Sequence, residues 1–283
     1  MIQKSILYVV ATPIGNLRDF SLRALDVLLA VDVIAAEDTR KSRKLLTHHA
    51  ITKRMIALHQ HNERAATKKI LSLLKAGKSV AYITDAGTPG ISDPGAILVN
   101  LVRSNYRVVP IPGANAALCA LSVAGIPISN FLFCGFLPAS KSMRRHKMEE
   151  LKSLPYALVF YEAPHRILEF IADLSEILGA NRELIIGREL TKLFETIYTC
   201  ALGDALNWLN SDINQQKGEF VLIVSGIERQ DKTAISNHAQ HTLKLLLENL
   251  PLKQAVKLTS DITSENRNQL YKMALLLKNN KEG

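Results

Sequence analysis

The sequence predicts an α/β protein: two α/β domains followed by a small bundle of helices. Three observations carry this. Short apolar, partly β-branched runs alternate with helical stretches between Ile6 and Val224, the pattern of βαβ units with right-handed crossovers. Gly- and Pro-rich loops follow the strands, where open α/β sheets place their ligands. Beyond Ile227 the strand pattern stops and only helical periodicity continues. At 283 residues the chain is long for one domain. Gly125-Ile126-Pro127 interrupts an apolar pattern, and Arg229-Gln230-Asp231-Lys232 reads as a polar linker. The expected domains are therefore 1–124, 125–227 and 228–283.

In order, Ile6 to Ala11 reads as a buried strand running into the rigid loop Thr12-Pro13-Ile14-Gly15-Asn16-Leu17. Ser21 caps a helix from Leu22 to Ala30. A second strand, Val31 to Ala35, delivers Glu37-Asp38-Thr39-Arg40 to a basic helix, Lys41 to Leu46. Met55 to Leu58 is a third strand, and helix Arg64 to Lys75 ends before Gly77. Strand Ser79 to Ile83 then opens a loop of twelve residues, Thr84 to Gly95, with three Gly and two Pro. An ordinary βα connection needs about two to six residues. Asp93 is the expected N-cap and Pro94 the first residue of the helix that follows, through Ala96 to Arg103. Strand Arg107 to Ile111, the turn Pro112-Gly113-Ala114-Asn115-Ala116 and helix Ala117 to Ala124 complete a mostly parallel sheet.

The second half has strands at Phe131 to Phe136, Ala157 to Tyr161, Glu183 to Gly187, Phe194 to Cys200 and Phe220 to Val224. Helices run from Ile167 to Leu178 and from Leu202 to Leu209, with more room for antiparallel pairs. The stretch Ala139 to Lys147 reads as a loop with four full positive charges. Three short helices close the chain: His241 to Asn249, Leu252 to Leu258, and a third capped by Thr263/Ser264 with Glu265. They have a helix-turn-helix flavour.

A net charge of +9 and a pI near 9.4 favour a polyanionic partner. The basic runs Arg40-Lys41-Ser42-Arg43-Lys44 and Lys141 to Lys147 suit phosphate contact. Three widely spaced cysteines make neither a disulfide framework nor a zinc cluster, so no metal is expected. The first apolar run is too short for a signal segment, and no stretch approaches the ~20 apolar residues of a membrane span. A cytoplasmic protein is expected.

Neither GxGxxG with a downstream acidic partner nor GxxxxGK[ST] is present. The three Gly/Pro loops, Thr12 to Leu17, Thr84 to Gly95 and Pro110 to Ala116, can wrap an adenosine-like ligand with backbone groups, and Asp85 can accept hydrogen bonds. They lack the lysine of a phosphate cradle, so a neutral or cationic ligand fits better than a nucleoside triphosphate. Ionisable clusters end other strands: Glu37-Asp38-Thr39-Arg40, Glu162 with His165 and Arg166, and Arg188-Glu189 with Lys192. These could converge on one cleft.

Taken in order, seven motifs together resemble the tetrapyrrole (corrin/porphyrin) methylase superfamily, over residues 5–226. They are Thr12 to Leu17, Glu37 to Arg40, Asp85 to Gly95, Pro112-Gly113-Ala114, Tyr161-Glu162-Ala163-Pro164-His165-Arg166, Arg188 to Lys192 and Gly218-Glu219-Phe220. Within it they are most similar to the bacterial branch that methylates small-subunit ribosomal RNA, and the helical tail is similar too. One departure is Ala139-Ser140, which separates Phe136-Leu137-Pro138 from the basic residues.

The resemblance implies two α/β domains with S-adenosylmethionine in the cleft between them, a homodimer, and 2′-O-methylation of a cytidine in the decoding region of 16S rRNA. It places cofactor contacts at Pro13, Gly15, Asp85, Gly87, Thr88, Ile91, Gly113, Ala114, Ala116, Tyr161 and Ala163. A ribose 2′-hydroxyl is a weak nucleophile that must be oriented and deprotonated. Glu162, Glu189 and Asp38 are candidate bases or orienters, and Arg40, Arg166 and Lys192 candidate phosphate clamps. Candidate RNA contacts are Arg40, Lys41, Arg43, Lys141, Arg144, Arg145, Lys147 and Arg166. Two rival readings are a tetrapyrrole (precorrin) methyltransferase, against which the basic runs and helical tail argue, and a non-catalytic rRNA-binding assembly factor, which would not need three cofactor loops.

Overall fold

The computed structural model describes residues 4–126, 130–227, 235 and 237–279. The chain divides into two compact units, residues 1–227 and 228–283. The first unit holds two five-stranded sheets.

The first sheet is parallel throughout, ordered β3-β2-β4-β1-β5. Its strands are β1 (Ile6–Val10), β2 (Val33–Ala36), β3 (Arg54–Ala57), β4 (Val80–Ile83) and β5 (Arg107–Ile111). Burial on both faces explains the continuous apolar runs of the central strands. Ile6, Tyr8, Val10, Ile34, Ala81 and Ile83 face helices α1 (Leu22–Ala30) and α2 (Thr39–His48). The alternate residues Leu7, Val33, Ala35, Val80 and Tyr82 face α3 (Glu63–Lys75) and α4 (Ala96–Val102). Caps set the helix starts: the Ser21 hydroxyl accepts from Ala24 N–H at 3.1 Å, and Asp38 accepts from Arg40 N–H at 2.8 Å.

Helix α4 starts differently from expectation. Its N-cap is Gly95, at φ +129°, rather than Asp93. A Cβ on Gly95 would lie 2.7 Å from the Tyr82 ring. The free donors of this helix start are satisfied from another element, because Glu63 Oε1 accepts from Gly95, Ile97 and Leu98 N–H at 2.9–3.0 Å. Pro94 therefore lies outside the helix, where its carbonyl accepts from Tyr82 Oη at 2.7 Å.

Helix α5 (Ala116–Ser122), capped by Asn115, carries the chain to the second sheet. That sheet is ordered β6-β7-β10-β8-β9 and is mixed. The strands are β6 (Phe131–Gly135), β7 (Ala157–Glu162), β8 (Glu183–Arg188), β9 (Thr196–Ala201) and β10 (Phe220–Val224). Only β6 and β7 pair in parallel, and the other pairs are antiparallel. One face packs on α7 (Ile167–Leu178) and α8 (Ala205–Ser211). The other buries Val159, Ile185, Val221 and Ile223 against Ala117 and Ala120 of α5, which fastens the second sheet to the first half.

The basic stretch expected as a loop is helix α6 (Lys141–Leu151). Arg144 lies on its buried face at 1% exposure, with Nε and Nη2 donating to Asp173 Oδ2 of α7 at 2.8 and 2.6 Å. Arg144, a candidate RNA contact, is thus turned inward onto a buried carboxylate and is not on the exposed face of the helix.

The second unit contains α9 (Asn237–Asn249), α10 (Leu252–Thr263) and α11 (Arg267–Asn279) around Leu243, Ala255, Val256, Leu270 and Ala274. Ser264 ends α10 in the left-handed region at φ 58° instead of starting the next helix. Asn266 takes that role, accepting from Asn268 N–H at 2.8 Å. The linker residues Arg229 to Lys232 lie outside the described residues. No helix among the described residues is long and apolar enough to cross a membrane.

Candidate active site

In the first sheet β4 and β5 flank β1, and the chain leaves β1 for β2 on one side and β4 for β5 on the other. Strand order thus reverses at β1, and ligands of open α/β sheets bind at such a point. There Thr12 and Gly87 exchange two backbone hydrogen bonds, of 2.9 and 3.0 Å, which tie the loop after β1 to the loop after β4. Thr88 Oγ1 donates to Ala114 O at 3.0 Å and ties in the loop after β5. Gly87, at φ +77°, gives the chain its turn there.

Beside these loops lies a cavity of about 430 Å³. The second sheet closes it from the far side, with Phe136, Tyr161, Glu162, Ala163 and Glu219. Tyr161 also bridges the halves, its hydroxyl accepting from Ala117 N–H at 3.1 Å. Of the expected cofactor contacts, Asp85, Gly87, Thr88, Ile91, Ala116, Tyr161 and Ala163 line this cavity. Pro13, Gly15, Gly113 and Ala114 are not among its lining residues; they shape the loops around it. A Cβ on Gly113 would lie 2.9 Å from that of Ala11, and one on Gly15 would meet Thr191 Oγ1 at 2.8 Å.

The ionisable residues lining the cavity, tyrosine aside, are all carboxylates: Glu37, Asp85, Asp93, Glu162 and Glu219. Asp85 accepts from Lys41 Nζ at 2.7 Å and from Asp38 N–H at 3.1 Å. Burial raises the Glu37 carboxyl above its ordinary value, although Asp85 N–H, at 3.3 Å, opposes this. Burial also pushes Asp93 up to about 6; the Glu37 charge adds to this and the Thr84 hydroxyl opposes it. Glu162 is buried, accepts from its neighbour Ala163 N–H at 2.8 Å, and lies 3.2 Å from Arg166 Nη2. Burial raises its carboxyl too, against that N–H and the Arg166 charge.

The candidate charged residues divide. Glu162 lies in the cavity, whereas Asp38 caps α2 and pairs with Arg40, whose hydrogen bond holds its carboxyl below the usual range. Glu189, at φ 52°, pairs with Lys192 at 2.8 Å, and Lys192 also reaches Glu219 at 2.9 Å, at the cavity edge. Burial would raise the Glu189 carboxyl, but the Lys192 and Glu219 N–H bonds outweigh it and lower it. Arg166 Nη2 donates to Leu137 O and Pro138 O, at 3.0 and 3.3 Å, and so braces the loop carrying Phe136. Arg40, Lys41, Arg43 and Lys141 are exposed. Arg145 pairs with Asp173 and Glu176, and Lys147 with Glu150.

Sequence reasoning placed Glu37 and Glu219 only in motifs, and it missed Asp93 and Phe136 as cavity residues. The signal for Asp93 was present, an acidic residue inside the long loop, but it was absorbed by a local capping rule. Among the described residues no group of three His, Cys, Asp or Glu could hold a metal ion.

Residues 6–206 match the family described as Tetrapyrrole (Corrin/Porphyrin) Methylases. The chain belongs to this family. Residues 233–278 match the RsmI C-terminal HTH domain, so the helical unit also has a family counterpart. The chain is 47% identical to the ribosomal RNA small subunit methyltransferase I of Pseudomonas aeruginosa, over 95% of this chain and 96% of that one. It is 47% identical to the protein of that name from Escherichia coli O157:H7, covering 95% and 94%, and 43% identical to that of Neisseria meningitidis serogroup B, covering 96% and 94%. Among solved structures, a cobalt precorrin-4 methyltransferase superposes with a TM-score of 0.57 at 15% identity, covering 78% of this chain and 95% of that one. A uroporphyrin-III-C-methyltransferase from Thermus thermophilus gives 0.54 at 17%, covering 78% and 94%. These two carry the fold alone. The family is one of methyltransferases using S-adenosylmethionine, and this chain is an enzyme of that kind.

Proposed function

We propose that the chain transfers a methyl group from S-adenosylmethionine to the 2′-hydroxyl of a cytidine in the decoding region of 16S rRNA, acting as a cytoplasmic homodimer. The observation that carries this reading is the charge of the cavity. In a chain of net charge +9, the charged residues lining it are carboxylates. Such a wall repels nucleoside triphosphates and suits a sulfonium cation bearing an ammonium group. The relatives' shared name, ribosomal RNA small subunit methyltransferase I, supports the substrate class.

The residues fit the cofactor. The volume suits a nucleoside-sized ligand, the Gly87-Thr88 and Asn115-Ala116 backbone supplies polar groups, and Ile14, Ile91 and Phe136 supply apolar walls. When bound there, S-adenosylmethionine supplies an electrophilic methyl group on a positively charged sulfur. The protein's part is to hold that group, exclude water and present the ribose hydroxyl in line with it. Arg40, Lys41 and Arg43, exposed beside the Asp85 end of the cavity, are the RNA-facing cations; the homodimer would cover Phe131 and Leu132, exposed on edge strand β6.

Incubation with methyl-labelled donor and either 30S subunits or a precorrin tests this. Label in the ribose of a 16S cytidine is expected. Label in the tetrapyrrole alone would assign the chain to the small-molecule branch, and calorimetry without a saturable donor site would leave only RNA binding. Sedimentation of the free protein checks the dimer, and a monomer at micromolar concentration would refute it.

A further inference from the structure

We propose that Asp93 is the catalytic base that takes the proton of the attacking ribose hydroxyl. The inference rests on the ribose-methylating reading and deepens it.

A general base needs a free lone pair within reach of the reacting proton. Four of the five carboxylates lining the cavity have a cation or a backbone N–H as partner. Asp85 holds Lys41 at 2.7 Å, Glu219 holds Lys192 at 2.9 Å, Glu162 holds Ala163 N–H and lies against Arg166, and Glu37 accepts Asp85 N–H. Asp93 is bonded to no cation and to no backbone N–H among the described residues. Its backbone, by contrast, is fixed on both sides. Ser92 before it stands in the left-handed region at φ 60°, with its Oγ packed against Gly135, where a Cβ would come within 2.7 Å. Pro94 after it is held by Tyr82 Oη at 2.7 Å and by Gly90 N–H at 3.2 Å, and Gly95 by Glu63 at 3.0 Å. A strained, multiply anchored segment that presents to a cavity a carboxylate bonded to no cation is a preorganised group.

The groups acting on Asp93 are Glu37 from the end of β2, the Thr84 hydroxyl and Asp85 from the end of β4, and the phenols of Tyr82 on β4 and Tyr161 on β7; the Thr84 hydroxyl alone favours the charged form. None is a cation. Burial among them brings this carboxyl to about 6, close to the working pH, where a base is both ionised and strong. In the step, the 2′-oxygen forms a bond to the methyl carbon as the carbon–sulfur bond breaks and its electron pair passes to sulfur. The hydroxyl proton passes to an Asp93 oxygen. The products are the 2′-O-methyl ribose, S-adenosylhomocysteine and a protonated Asp93, which returns its proton to solvent.

The test compares Asp93→Asn with wild type in three measurements: single-turnover transfer of labelled methyl to 30S subunits, calorimetric Kd for S-adenosylmethionine, and filter-binding Kd for the subunit. The rate is expected to fall about 10²- to 10⁴-fold, the usual size of a general-base contribution, while both Kd values stay within about threefold. The wild-type rate should fall below pH about 6, and the variant should lack that limb. A variant rate within about threefold of wild type overturns the proposal, as does a loss that saturating donor restores, which would make Asp93 a donor ligand. Trp208 fluorescence checks folding. Should the variant not fold, the wild-type profile decides alone: a rate flat from pH 5 to 7 overturns the base. Wild-type protein that binds donor yet labels no RNA would overturn the functional reading and the proposal with it; wild-type labelling beside an unimpaired variant overturns the base alone.

Discussion

Arg144→Ala separates a structural arginine from an RNA-binding one. Arg144 and Asp173 are 1% and 3% exposed, and Arg144 donates twice to one carboxylate oxygen. Removing one partner of a buried pair costs about 3–5 kcal/mol, because the other charge is left without compensation. Arg145 still reaches Asp173 Oδ1 at 2.9 Å, so the lower end applies, about 3 kcal/mol. That is roughly a 150-fold change in the unfolding constant, and a large share of a typical stability of about 5–15 kcal/mol. The assay is urea unfolding followed by the fluorescence of Trp208, the sole tryptophan, which stacks on Tyr198 at 4.3 Å against the same core as α7. Burial alone would raise the Asp173 carboxyl, but Arg144 and Arg145 outweigh it and hold it below its ordinary value. A depressed carboxyl contributes stability above its unfolded pKa of about 3.9 and loses it as pH falls through the folded value. The gap between wild type and variant should therefore narrow below pH about 4. The paired change Arg144→Met with Asp173→Leu should recover most of the loss. A loss under about 1 kcal/mol, or a salt slope for RNA binding that drops by about 0.7–1, would refute the structural assignment and return Arg144 to the RNA surface.

Three further outcomes are expected. Glu63→Ala frees three N–H groups at the start of α4 and should cost about 1–3 kcal/mol in urea unfolding; Glu63→Gln, which keeps the accepting oxygen, should restore most of it, and equal losses would refute the cap. Asp85→Asn should weaken S-adenosylmethionine binding about a hundredfold by calorimetry, the effect of one charge about 6 Å away at an effective dielectric of about 20. An unchanged Kd would remove Asp85 from the donor site. Arg40→Ala and Arg43→Ala should each lower the salt slope of RNA binding by about 0.7–1 without changing the donor Kd, and an unchanged slope would place RNA elsewhere.

Where the fold is dictated locally, it was legible in the sequence. Leu22–Ala30, Arg107–Ile111, Ile167–Leu178 and Phe220–Val224 have the bounds that periodicity and caps predict. Departures arise where a distant residue supplies what a local rule assigns to a neighbour. Asp93 has the right type and position for an N-cap, yet Glu63, some thirty residues earlier, satisfies the helix start, and Asp93 is freed to face the cavity. Lys141 to Lys147 reads as a solvated charge run; Asp173, on another helix, draws Arg144 inward and makes one face of the run a packing surface. The cofactor loops were legible as a set, because glycines and prolines at strand ends mark places where backbone must approach something closely. Which carboxylates face the cavity was not, since that depends on how the second sheet meets the first through α5 and Tyr161.

The distribution of charge accounts for how one cleft serves two ligands of opposite sign. The excess of cations lies on exposed stretches such as Arg40 to Lys44, while carboxylates line the cavity. A polyanion is attracted to the outer face and repelled from the interior, so only a neutral group such as a ribose hydroxyl enters without electrostatic cost. The cationic donor has the reverse preference. The two bindings should then separate in salt. RNA affinity, which rests on counterion release, should fall about 10³-fold or more between 50 and 200 mM salt if six or more phosphates are neutralised. Donor affinity depends on partly buried charges only a few ångströms away, well inside a screening length of about 8 Å at 0.15 M, and should change less than about threefold over that range. Parallel salt titrations by filter binding and calorimetry measure both. Equal slopes would mean that donor and RNA meet the same exposed charges, and the division of labour between surface and cavity would fall.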